Sequence, residues 1–167
     1  MTGELELAFR TQLVIPEQRA LYDYWCEQSN ENRLPGRNDI SPAGFPRLLP
    51  MISLIDVEHS PKRYRIRLAG TGLRDIYQNE ITGHYLDEFD WGCKSQYWLS
   101  ACCRVVDRKR PAQGIIKSSI KSQDHSVQFW LRLPLSCDGE RVNMILCYDA
   151  FVSMQKAKHL TKQNIAC

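Results

Sequence analysis

The hydrophobic and polar positions of the chain change period several times, and each change marks an element. Residues 1–15 mix Glu4 and Glu6 with Leu5 and Leu7 without a clear period, and read as a flexible N-terminal arm. From Pro16 the segment PEQRALYDYWCEQSN puts Ala20, Leu21, Tyr24 and Trp25 on one stripe, with Pro in the first turn and Glu17 at the positive end. That is the pattern of an amphipathic helix, whose stripe needs cover from its own sheet or from a second copy. Asn30 to Pro50 carries Pro35-Gly36, Ser41-Pro42, Gly44 and Pro46, and reads as irregular chain with a helical turn opening at Ser41-Pro42.

Strand periodicity begins at Ile52 to Val57. After a turn at His59-Ser60-Pro61, KRYRIRLAG alternates Tyr64, Ile66 and Leu68 with Arg63, Arg65 and Arg67, which predicts a hairpin. Between Gly70 and Gly83 the spacing of Leu73, Ile76 and Tyr77 predicts short helices. Residues from about Gly92 to Asp107 predict a longer one, with Trp98, Cys102 and Val105 along one side and Arg108-Lys109-Arg110-Pro111 as its stop. Gln113 to Lys121, Val127 to Leu135 and Arg141 to Val152 read as strands, the last two joined at Asp138-Gly139, a hairpin turn signal. The tail after Val152 is polar and reads as frayed. Two strands, a helical middle and three strands predict an α+β fold: a five-stranded antiparallel sheet with helices over one face and an N-terminal helix.

At 167 residues the chain supports one core and one ligand pocket. Its apolar runs fall far short of the ~20 residues that span a bilayer, and no secretory signal opens it, so a soluble, cytoplasmic protein is expected. Seven cysteines with no CxxC pair fit reduced thiols better than a disulfide framework or a zinc site. Residues 1–60 carry 5 Lys/Arg against 9 Asp/Glu, and residues 61–167 carry 17 against 10. The basic half offers an anion-attracting surface. No recognition motif accompanies it, so nucleic acid is not the expected partner.

The element order is similar to the PAS fold. The local sequence resembles the single-domain PAS family common in alphaproteobacteria, in the early helix with Tyr24-Trp25, in LPGRNDISPAGFPRLLPMISLIDV, in YRIRLAGTGLRDIY and in EITGHYLDEF. On this resemblance residues 1–15 are an arm, 16–152 a PAS-like domain including its helix and linker, and 153–167 a tail. The resemblance implies a sensory or signalling domain without catalysis, often homodimeric through its N-terminal helix. Leu21, Tyr24 and Trp25 are then the dimer-face candidates, and a signalling protein the expected partner. The family's marks fall on Arg37, Asp39, Pro42, Leu49, Pro50, Asp56, Arg67, Gly70, Thr71 and Gly83, read mainly as fold and linker-docking positions. Flavin-reactive relatives resemble an Asn-Cys-Arg-Phe core where this chain has FDWGCKS with Cys93, and haem-binding ones use a His on the long helix, where residues 93–110 have none. Both cofactors are therefore disfavoured.

Tyr77, Trp98, Cys102, Trp130 and Tyr148 are the pocket candidates, since aromatic walls with polar tips suit a small metabolite; plain core packing is the equal alternative. His84 follows Gly83 and is a further ligand contact candidate. Arg65 and Arg67 offer guanidinium forks for a carboxylate or phosphate, against the plainer account of a solvated face or a pair with Asp39 or Asp56. A small-ligand carrier or enzyme on a similar curved sheet would need His84, Asp87 and Asp149 to converge. A nucleic-acid binder would use Arg104, Arg108, Lys109 and Arg110.

Overall fold

The computed structural model describes residues 2–30, 33–91 and 94–165. Five strands, β1 (Ile52–His59), β2 (Lys62–Ala69), β3 (Ala112–Lys117), β4 (Ser126–Leu135) and β5 (Met144–Ser153), make one antiparallel sheet in the order β2-β1-β5-β4-β3. Two hairpins, β1-β2 and β4-β5, meet at β1 and β5, and β3 joins the far edge through the helical middle of the chain. The predicted α+β sheet is the observed one.

Alternation along the central strands builds two cores. Val127, Phe129, Leu131, Leu133 and Leu135 of β4 and Met144, Leu146 and Tyr148 of β5 face one side, where they pack with Leu21, Tyr22 and Trp25 of α2 (Pro16–Gln28). Trp130 of β4 and Ile145 and Cys147 of β5 face the other side, against Trp98, Ala101, Cys102 and Val105 of α4 (Ser95–Arg108). Since both faces are covered, β4 is buried along nearly its whole length. A two-sided strand of this kind reads as continuous apolar sequence, and its polar residues are the exceptions that need partners.

Two segments are more ordered than their sequence predicts. Residues expected as an arm form α1 (Thr2–Gln12), followed by the buried plug Leu13-Val14-Ile15. What fixes α1 is tertiary contact and not amphipathic period. Arg10 donates twice to the Asp23 carboxylate at 2.7 and 2.8 Å, and the Phe9 ring lies 5.0 Å from that of Tyr22. The polar tail forms α5 (Met154–Ile165), with Ala157 buried against the α2 side of the sheet. No helix among the described residues is long and apolar enough to cross a membrane.

The β1-β2 hairpin departs from simple alternation. Leu54 pairs with Leu68 but Ile55 pairs with Ile66, so Arg67 is an extra residue in β2 and Leu68 turns outward, 50% exposed. The predicted Tyr64-Ile66-Leu68 face therefore stops at Ile66. The Asp138-Gly139 signal serves a longer connection, residues 136–143, and not a tight hairpin. There Asp138 Oδ1 accepts from the backbone N–H groups of Glu140 and Arg141 and from the Ser136 hydroxyl.

The family-like positions act as fold positions. Gly70 leads from β2 into α3 (Thr71–Tyr77) with its N–H donating to Ile52 O; a Cβ there would lie 2.2 Å from the Leu49 carbonyl oxygen. Asp39 accepts from Gly36 N at 2.7 Å, and Arg37 donates to Ile40 O at 2.9 Å, closing the linker turn.

Candidate functional site

Between the β1, β4 and β5 strands and the covering α3 and α4 helices lies a small interior cavity of about 40 Å³. Its walls are apolar, chiefly Ile55, Ile66, Leu73, Ile81 and Leu86, with the rings of Tyr77, Trp91 and Trp98. The rings brace one another: Trp91 lies edge-on to Tyr77 at 5.8 Å, and Trp98 lies 6.3 Å from Trp91 and 6.0 Å from Trp130.

Polar chemistry enters this lining from the sheet. Gln128 and Arg132 of β4 and Asp149 of β5 are all buried. Arg132 Nη1 and Nη2 donate to the two Asp149 oxygens at 3.1 and 3.0 Å, Gln128 Nε2 donates to Asp149 Oδ1 at 2.8 Å, and Arg132 Nη1 also donates to Leu131 O. The guanidinium carbon lies 5.4 Å from the Trp98 ring and 5.6 Å from that of Trp130, so indole faces replace water around the cation. Burial alone would lower the Arg132 pKa, but the Asp149 charge more than offsets it and leaves it raised. Desolvation raises the Cys102 and Cys147 thiols to about 12 and about 11, so both stay protonated across physiological pH. Burial likewise raises the Tyr77 hydroxyl. Trp98 Nε1 is buried without a hydrogen-bond partner among the described residues.

Three of the sequence candidates, Tyr77, Trp98 and Cys102, line the cavity. Trp130 is beside it, its Nε1 donating to the Tyr97 hydroxyl at 2.8 Å. Its ring lies over Gly114 of β3, where a Cβ would stand 2.5 Å from the indole, so the flat contact depends on that glycine. Tyr148 is not a pocket residue: β5 parity turns it to the opposite face, into the α2 core. Arg65 and Arg67 also lie off the cavity, both paired with Asp56 at 3.1 and 2.8 Å. The bulge is what brings two guanidiniums to one carboxylate. His84 is exposed and faces Glu88 at 3.2 Å. Asp87 is bonded twice by Arg63 on the surface, and Asp149 is inside, so the three residues required for an acid–base site do not converge.

The dimer-face candidates are corrected in part. Leu21 and Trp25 are 0% and 6% exposed within their own chain, and Trp25 Nε1 donates to Pro134 O at 3.0 Å, so the α2 stripe is spent on its own sheet. Tyr24 is half-buried, its hydroxyl accepting from Ser41 N at 2.9 Å and its ring edge-on to Phe45. Cys93 lies outside the described residues. Among those described, no three His, Cys, Asp or Glu side chains gather as a metal site.

Sequence reasoning missed Gln128 and Arg132, and weighed Asp149 only as a recruit for an acid–base pair. A signal was present: they share the parity of Trp130 and Cys147 on strands whose other parity is already wholly apolar. A flavin or haem ring does not fit the space as it stands, which is well under the ~300–1,000 Å³ of usual ligand pockets.

Residues 14–148 match the family model described as PAS domain. No curated protein matches the chain. Among solved structures, an RNA-binding light-oxygen-voltage receptor superposes with a TM-score of 0.52 at 12% identity, over 79% of this chain and 39% of that one. A Rhodobacter sphaeroides light-oxygen-voltage protein gives 0.50 at 11%, over 76% and 82%. The PAS domain of a Colwellia psychrerythraea protein gives 0.49 at 10%, over 65% and 93%. At such identities the likeness is one of fold.

Proposed function

The chain belongs to the PAS domain family, and from that premise we propose that it is a sensory or regulatory module that acts by binding a small polar molecule or a protein partner, without catalysis of its own. The observation that supports this reading is the Arg132–Asp149–Gln128 cluster beside a cavity in an otherwise apolar interior. A buried ion pair contributes little net stability compared with apolar residues of the same size, so its place beside a cavity favours a role in recognition. The space admits a ligand of a few heavy atoms, one that hydrogen-bonds to the cluster or to the orphan Trp98 Nε1. A larger ligand enters only if α3 or the Trp91 ring moves.

On this reading the module is cytoplasmic, akin to the single-domain PAS proteins of alphaproteobacteria, and homodimeric. With Leu21 and Trp25 committed to the core, the self-contact falls to α1, whose Leu5 and Leu7 are 59% and 62% exposed. Because α1 is docked by Arg10 and Asp23, the functional unit includes it. Native mass spectrometry of freshly purified full chain, followed by denaturation, tests the reading. A defined small mass released on denaturation, and lost in an Asp149→Ala variant, supports cavity sensing. A bare dimer moves the function to the surface, and a bare monomer removes the homodimer.

A further inference from the structure

Six arginines of the sheet and its flanking helices answer a carboxylate: Arg10, Arg63, Arg65, Arg67, Arg74 and Arg132 all have one within 4.0 Å. Arg104, Arg108 and Arg110 do not, although they converge. All three are exposed and line one concave space of about 260 Å³, between the end of α4, the start of β3 and the end of α1. Phe9 closes its floor, the side-chain amides of Gln12 and Gln113 meet at its rim at 3.2 Å, and no carboxylate lines it. The nearby acid Asp107 is engaged by Lys62 at 2.6 Å.

Arg104 and Arg108 are four residues apart on one helix, an arrangement in which like charges repel. The helix dipole favours a cation in the last turn, which accounts for Arg108 but not for Arg104, a turn earlier. Lys109, where the helix ends, lines the adjoining hollow and not this one. An uncompensated cluster of guanidinium forks in a concavity has the chemistry of an oxyanion site, because each fork matches two oxygens of a phosphate.

We infer that Arg104, Arg108 and Arg110 form a binding site for a small phosphate-bearing ligand with two or more negative charges. It is distinct from the interior cavity and does not rest on it. The space is a pocket rather than an extended stripe, and the one ring in its lining, Phe9, is half-buried and packed on Tyr22. Both features favour a small oxyanion over a nucleic acid strand. Arg104 also lies 5.9 Å over the Trp130 ring, which Arg132 approaches as well, so an anion that draws Arg104 outward changes the surroundings of that indole.

Inorganic pyrophosphate and orthophosphate are titrated into the full chain at ionic strength held constant with chloride, followed by calorimetry and tryptophan emission. The expected result is saturable binding, stronger for pyrophosphate, with a Kd of about 1 mM or below. It weakens at least about tenfold in R104Q/R108Q, whose melting temperature stays close to the parent's because the removed repulsion offsets the lost dipole and ring contacts. R47Q, an exposed arginine elsewhere, leaves binding unchanged. A signal that follows ionic strength alone, undiminished binding in R104Q/R108Q, or binding of a short oligonucleotide without pyrophosphate would each overturn the inference.

Discussion

Arg132 and Asp149 face each other across neighbouring strands at 3.0 Å, their side chains 8% and 5% exposed, with Gln128 donating to the same carboxylate. Taking one partner away leaves an uncompensated charge in an apolar interior. Asp149→Ala and Arg132→Met should each cost about 3–5 kcal/mol in urea unfolding. The triple variant R132M/D149L/Q128L removes every member of the cluster and should recover to within about 2 kcal/mol of the parent. A single-variant cost below about 1 kcal/mol would mean that water reaches the pair.

The second prediction separates core from contact surface. Leu21→Ala should lose about 2–5 kcal/mol and Trp25→Ala about 3–5, since each vacates packed volume and the latter also orphans Pro134 O. Leu5→Glu with Leu7→Glu should leave the unfolding midpoint close to the parent's and shift light-scattering mass from dimer to monomer. An unchanged dimer would take the self-contact away from α1.

Much of the fold was legible because it rests on short-range pattern: period two in β1, β2, β4 and β5, helical spacing through Leu73 and Trp98, proline at Pro16 and Pro42. Leu68 was misread because a one-residue bulge is invisible to alternation until the partner strand is known. Tyr148 was misplaced because both faces of β5 are covered: its parity, shared with Met144 and Leu146, meets α2, while the cavity takes the parity marked by the polar exceptions Gln128, Arg132 and Asp149. The α1 helix depends on Arg10 finding Asp23 and Phe9 finding Tyr22, contacts between elements that periodicity within one element does not reveal.

Thiol reactivity should divide by place. Cys102 and Cys147 are buried, with raised pKa values, whereas Cys137 is exposed. Iodoacetamide at pH 8 followed by peptide mapping should label Cys137 first, Cys26 and Cys103 more slowly, and Cys102 and Cys147 only after unfolding. The unfolded thiols ionise from about pH 8.5, below their folded values, so the two residues stabilise the fold fully below that pH and lose this contribution as pH rises toward 11 or 12. Rapid native labelling of Cys102 would show that the helices over the cavity open readily.

Acid behaviour should expose the β4-β5 connection. Backbone N–H groups of Arg141 and Glu140, with the Ser136 hydroxyl, hold the Asp138 carboxyl far below its ordinary range. A lowered folded pKa means stability that is complete above the unfolded value of about 3.9 and lost as pH falls through the folded one. Asp138→Ala should therefore be less stable than the parent by a constant margin from pH 5 to 8, and the margin should shrink below about pH 4. A margin independent of pH down to 2 would assign the effect to turn geometry rather than to charge.

Trp25 of α2 holds the carbonyl of Pro134, and Pro134 stands two residues along β4 from Arg132. The strand is thus a bulkhead between two compartments, the cavity on one side and the N-terminal helices on the other, with a single backbone's thickness between them. There is no slack in that partition, because Trp130 and Leu131 are successive residues packed in opposite cores. Any displacement of β4 toward α4 carries the anchor of α2 with it, so the interior and the helical exterior of this protein share one moving part.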